Sequence, residues 1–252
     1  FRPDWINLNG VWEFAFDPCN IGLDEKWYER KFNGNIVVPF CPESVLSGIY
    51  DENFHTVCWY ARSFDMPGDF QGQRILLHFG AVDYKTDVWL NGKHLGQHVG
   101  GYDSFYFDIT DSLKVSGNRL VLRVHDDIFE AKPHGKQSGN RYTKDCAYMR
   151  VTGIWQTVWL ESVGNTYIKD WTLTADADGK LSIDLEKDGP DSDVSAELVI
   201  NFGREEVMRW RVPFEEMQAH TSITVSQCKL WSPDTPNLYD IRFSLLSGDG
   251  VV

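Results

Sequence analysis

At 252 residues and 29.0 kDa, with 42% hydrophobic and 14% aromatic residues, the chain holds enough apolar material for two cores of unequal size and is not a disordered polymer. Its formal charge of −13, from 37 acidic against 24 basic residues, repels phosphate backbones and argues against nucleic acid as a partner. No run of about 18 apolar residues reads as a membrane span, and the N-terminal Phe1-Arg2-Pro3-Asp4 lacks a leader and a starting Met, so the chain reads as a processed or excised piece.

In chain order, residues 7–16 (NLNGVWEFAF) follow an Asn-Gly turn and alternate as a first strand. Residues 19–32 are mixed, and Leu23, Trp27 and Lys31 allow a helical turn or two. Residues 36–39 form a short strand ahead of a long Pro-punctuated loop, 40–57, of the kind that often carries function. Strands are predicted over 58–64, 74–79 and 84–90. The last meets Asn91-Gly92, a strong hairpin signal, before 93–98 returns. Residues 105–109 and 119–124 complete eight or nine short strands with almost no helix, the pattern of an antiparallel sandwich or jelly roll.

Residues 129–146 (FEAKPHGKQSGNRYTKDC) have no apolar period. They are either a disordered surface excursion or a loop ordered by substrate or by a neighbouring domain. Residues 149–161 (MRVTGIWQTVWLE) then read as one strand at the seam between two domains. Ile154, Gln156, Val158 and Leu160 point one way, Trp155, Thr157, Trp159 and Glu161 the other, after a bend at Gly153.

Beyond 166, Trp171 and Leu173, a turn at Asp178-Gly179, and Leu181, Ile183 and Leu185 make a hairpin. Alternation around Val194–Ile200, Trp210–Phe214, Ile223–Val225 and 238–246 brings the total to about seven strands, an immunoglobulin-like sandwich. The fold class is therefore all-β: a jelly roll over 1–164 followed by an immunoglobulin-like β-sandwich over 165–252.

The five cysteines, Cys19, Cys41, Cys58, Cys146 and Cys228, are odd in number and without CxxC spacing. They point to neither a disulfide framework nor a zinc site and favour a reducing, cytoplasmic setting. His94 and His98 lie four apart, but Gly92 and Gly96 place them on turn and strand. The His125-Asp126-Asp127 run has a cation-binding reading and an equally good acidic-turn reading. No cofactor is expected. Trp12, Trp59, Trp89 and Trp159, on alternating strand positions, read as core rather than as sugar-stacking platforms.

Four stretches together carry a specific resemblance: AVDYKTDVWLNGKHLGQHVGGYDSFYFDIT, the GKQ of Gly135 to Gln137, the seam, and LWSPDTPNLY. In this order they resemble glycoside hydrolase family 2, which includes β-galactosidases, β-glucuronidases and β-mannosidases. The resemblance implies a jelly-roll sugar-binding domain and an immunoglobulin-like domain ahead of a (β/α)8 barrel. It also implies retaining β-glycoside hydrolysis by two glutamates on that barrel, their carboxyl groups about 5 Å apart. No residue of this chain takes either role.

The resemblance further implies that loops of the first domain reach the rim of the sugar pocket. In relatives, an acidic residue six positions before the Gly of the GI step contacts the sugar. Here that position is Ala147, so either Asp145, in the departing sequence KDCAYMR, takes over or the contact is missing. His55, from the loop before the 58–64 strand, is the other polar candidate. Arg150 completes the substrate-binding set, against a structural reading as a paired arginine, including an ion pair with Asp145. The partners implied are a β-glycoside, the barrel of the same chain and a second copy in a homo-oligomer. The alternatives are a stand-alone lectin-like module and an adhesin-like structural sandwich pair.

Overall fold

The computed structural model describes residues 2–67, 74–139, 146–248 and 250–251. The chain divides into two compact units, Phe1–Ser162 and Val163–Val252.

The first unit contains β1 (Trp5–Asn7), β2 (Gly10–Phe16), β3 (Gly34–Val38), β4 (Val57–Phe64), β5 (Arg74–Phe79), β6 (Val82–Asp83), β7 (Lys85–Leu90), β8 (Lys93–Val99), β9 (Phe105–Asp108), β10 (Asn118–His125), β11 (Gly153–Ile154) and β12 (Val158–Val163). A six-stranded sheet, β3-β2-β4-β10-β7-β8, packs against a four-stranded one, β1-β12-β5-β9. The two-residue period explains the packing. In the register Leu122↔Tyr60 and Leu122↔Val88, all three side chains enter the core with Trp12, Phe14, Leu77, Phe79, Val158 and Leu160. Each such buried side chain contributes roughly 1.5–3 kcal/mol of transfer free energy. The turn at Asn91-Gly92 takes positive φ at both residues, 54° and 84°, which is why it needs Asn and Gly.

The intervening residues of the six-stranded sheet, Trp59, Ala61, Trp89 and Val121, face outward, yet they are buried beneath Trp27, Tyr28 and Phe32. The segment carrying those rings is the mixed stretch after β2, and it forms one 3-10 turn, Trp27–Glu29. It is held by Asp17, whose carboxylate accepts Ile21 N–H at 3.0 Å, Gly22 N–H at 2.9 Å and Trp59 Nε1–H at 3.1 Å. Trp12, Trp59 and Trp89 are accordingly core residues, whereas Trp159 is half-buried and stacks on His78.

The seam is not one strand. β11 pairs with β6, while β12 pairs with β1 in another sheet, and residues 155–157 carry the chain from one pairing to the other. Ile154, Val158 and Leu160 point inward as expected, but Gln156 is exposed, because the alternation is interrupted at the crossing.

The second unit contains β13 (Tyr167–Ala175), β14 (Lys180–Asp188), β15 (Ser195–Phe202), β16 (Glu205–Pro213), β17 (Gln218–Thr224), β18 (Asp240–Ser247) and β19 (Gly250–Val251). They form sheets β13-β14-β17 and β16-β15-β18-β19 around Leu181, Ile183, Leu185, Ala196, Leu198, Ile200, Val212 and Ile223. The β13–β14 turn is organised by Asp176, whose carboxylate accepts Asp178 N–H at 2.9 Å and Lys180 N–H at 3.0 Å. Leu238 lies outside β18 and is exposed.

Candidate functional site

The loop over residues 40–57 is built on buried polar groups. Its 3-10 turn, Val45–Ser47, is capped by Ser44, whose Oγ accepts Leu46 N–H at 3.2 Å. Glu43 is 3% exposed, and burial pushes its carboxyl above the usual range. It accepts Thr152 N–H at 3.3 Å and faces Arg150 Nη2 at 4.0 Å. Arg150 Nη2 donates to the carbonyls of Glu52 (2.9 Å) and Asn53 (3.1 Å), and the guanidinium lies 4.0 Å from the Phe54 ring centroid. Arg150 is 5% exposed and thus fastens the 40–57 loop to the seam. His55 is half-buried. Its Nε2 lies 2.9 Å from Asp51 Oδ2, and its ring stacks on Phe16 with centroids 3.6 Å apart.

The second loop is anchored as firmly. Lys132 forms a buried ion pair with Asp126 and lies over the Tyr84 ring at 4.8 Å, and Asp126 Oδ2 accepts the Thr152 hydroxyl at 3.2 Å. Gln137 Nε2 donates to Asp83 Oδ2 at 2.7 Å, while its Oε1 accepts Val151 N–H at 2.8 Å. Tyr102 donates its hydroxyl to the His134 carbonyl at 2.9 Å. Backbone bonds Ser138 N to Tyr148 O and Tyr148 N to Lys136 O, both 2.8 Å, close the base. Contacts inside the first unit therefore hold the described part of the 129–146 loop. Burial, aided by repulsion from Asp126, raises the Asp83 carboxyl to about 6.

Of the three candidate substrate ligands, Asp145 lies outside the described residues. Arg150 and His55 meet the same loop, Arg150 through Glu52, Asn53 and Phe54 and His55 through Asp51, and neither is fully exposed. The sequence reading missed Asp83 and Lys132. Their partners lie 54 and 6 positions away in irregular chain, where no periodicity marks them. His94 sits near Asp87 (3.5 Å) and His98 stacks on Phe105, so the two do not act as a pair.

Exposed rings surround this anchored base. Phe129 is 83% and Phe54 42% exposed, with centroids 6.1 Å apart, and Tyr102 and Tyr148 are exposed as well. The arrangement offers an aromatic rim on a rigid polar base. Among the described residues no group of three His, Cys, Asp or Glu is placed to hold a metal ion, and no helix is long and apolar enough to cross a membrane.

Residues 6–163 match the sugar binding domain of glycosyl hydrolases family 2, and residues 166–252 match a second domain of glycosyl hydrolases family 2. The chain belongs to glycoside hydrolase family 2. Among its family relatives, a β-galactosidase of Thermoanaerobacter pseudethanolicus is 26% identical, with 100% of this chain and 33% of that protein aligned. A β-glucuronidase of Paenibacillus borealis is 26% identical over 97% of this chain and 43% of its own. The fold is shared with the Bifidobacterium dentium β-glucuronidase solved with coumarin-3-O-glucuronide, at a TM-score of 0.81 and 22% identity, covering 100% of this chain and 47% of that one. This family chain thus spans between a third and a half of the length of these relatives.

Proposed function

We propose that this chain is the non-catalytic N-terminal portion of a retaining β-glycosidase, where it supports a (β/α)8 barrel and shapes its sugar pocket. The observation that carries the reading is the pair of loops, 40–57 and 129–146, both fastened by side-chain hydrogen bonds to the segment 150–152. Such a base holds rim groups in place before a sugar arrives, which lowers the ordering cost of binding. The chain's match to part of β-galactosidases and β-glucuronidases supports the same reading. In this role His55 and Asp145 are the polar rim candidates for substrate. Arg150 contributes from behind, through the loop it holds. The domains run over 1–164 and 165–252, their boundary two residues beyond the division of the compact units at Ser162, the setting is cytoplasmic, and the second copy of a homo-oligomer is a further partner.

The test is turnover of chromogenic β-glycosides. The 252-residue chain is expected to fold and to hydrolyse none, whereas a full-length protein containing it is expected to hydrolyse them. Turnover by a pure sample of the chain alone overturns the reading. Millimolar or tighter glycan binding by a native product no longer than this chain replaces it with a lectin-like module.

A further inference from the structure

The GKQ stretch has no place in the chemistry of glycoside cleavage, yet its glutamine makes a two-sided contact in the loop base. Gln137 uses both ends of one amide: Nε2 reaches Asp83 Oδ2 at 2.7 Å and Oε1 takes Val151 N–H at 2.8 Å. Asp83 is 2% exposed and belongs to β6, whose partner is β11 of the seam through the register Asp83↔Gly153. The amide therefore ties an irregular loop to the buried edge of the domain and to the chain entering β11. Three features keep it there. Gly135, at φ +61°, lets the loop pass Tyr102, whose hydroxyl oxygen lies 2.7 Å from where a Cβ would stand. Gly101 leaves room for the Asp83 carboxyl, which would meet a Cβ at 2.6 Å. Residue 137 also forms an isolated bridge with Tyr148, an exposed ring of the rim.

We infer that Gln137, held by Asp83, is the positioning residue that sets where the described flanks of this loop, 134–139 and 146–148 with the exposed Tyr148 ring, meet the sugar pocket. This rests on the proposed role of that loop in the full-length enzyme. Gln137 does not touch substrate. It acts through the segment it pins, on binding rather than on the chemical step. Leu in its place keeps the volume and loses all three amide bonds, the third running from Nε2 to the Tyr102 hydroxyl at 3.3 Å, and Asn at 83 keeps an acceptor for the amide while Leu at 83 does not.

Two measurements on Gln137→Leu test the inference. In the 252-residue chain, amide exchange at Val151, Tyr148 and Ser138 is expected to quicken at least about tenfold while the rest of the first unit is unchanged. In the full-length protein, KM for a β-glycoside is expected to rise about tenfold with kcat nearly unchanged. Asp83→Asn should leave KM near the wild-type value, and Asp83→Leu should raise it as Gln137→Leu does. Unchanged exchange in Gln137→Leu overturns the pin. Faster exchange with unchanged KM overturns the positioning role. Phe129→Ala with Tyr148→Ala, which removes exposed rings of the rim, in the same assay then separates the two failures. If this double variant raises KM, only the role of Gln137 fails. If it too leaves KM unchanged, the pocket-shaping function of the loop fails with it.

Discussion

Arg150 lies with its guanidinium 4.0 Å from the centre of the Phe54 ring and gives two hydrogen bonds to the carbonyls just before that ring. One side chain from the seam thus supplies the loop with a cation–π contact, carbonyl partners and the nearest positive charge to buried Glu43. Arg150→Met is expected to destabilise the first unit by about 2–4 kcal/mol, since it leaves two carbonyls without their donor and a buried carboxyl without its facing positive charge. In a Glu43→Gln background the same change should cost less, because no carboxylate charge is stranded. Equal losses in the two backgrounds, measured by urea unfolding, would show that Glu43 and Arg150 are not coupled.

Asp83 has a pH signature of its own. Burial raises its folded carboxyl to about 6, above the ordinary aspartate value of 3.8, so folding favours the protonated form. The stability linked to this group is fully present below about 3.8 and is lost as pH rises through about 6. With 1.36 kcal/mol per unit, the ionised group costs about 3 kcal/mol at pH 8. Asp83→Asn, which carries no charge, should therefore gain on wild type as pH rises from 4 to 8. A stability difference that stays flat across that range would contradict the raised carboxyl.

Gly153 occupies the bend that opens β11 at φ +81°, and a Cβ there would lie 2.0 Å from the Tyr60 hydroxyl oxygen. Gly153→Ala combines a strained backbone with an overlap inside a close-packed core. It is expected to cost more than about 3 kcal/mol. Adding Tyr60→Phe removes the nearest clashing atom and should recover part of the loss in thermal melts. No recovery would place the cost in the backbone and in the ring carbons, which a Cβ would still meet at 2.8 and 3.0 Å.

The thiols should fall into two groups. Cys19 and Cys146 are exposed and Cys228 is half-buried, whereas Cys41 and Cys58 are buried. Burial pushes the Cys41 thiol up to about 12 and the Cys58 thiol higher still, which removes the reactive thiolate at neutral pH. Native protein should release colour from a disulfide reagent at Cys19 and Cys146 first and Cys228 more slowly. Cys41 and Cys58 should react only in denaturant, and mass mapping of the labelled peptides reads the order.

Much of the fold was legible because its signals are local. Alternation along residues 7–16, 58–64 and 119–124 identifies strands, and the structure has β2, β4 and β10 there. The Asn91-Gly92 pair announced its hairpin, and the alternating tryptophans Trp12, Trp59 and Trp89 announced their burial. The seam was overread for the same reason. Residues 153–161 keep a two-residue rhythm on either side of a crossing between sheets, and rhythm alone does not report a change of partner.

By itself, then, the sequence determined two all-β domains and, through its ordered motifs, the family. Only the tertiary structure decided what Arg150, Lys132 and Gln137 do. Their partners Glu43, Asp126 and Asp83 lie 6 to 107 positions away and are set beside them by the packing of irregular loops on the sheets, and a charge or an amide is satisfied by whatever the fold places next to it, not by its neighbours along the chain.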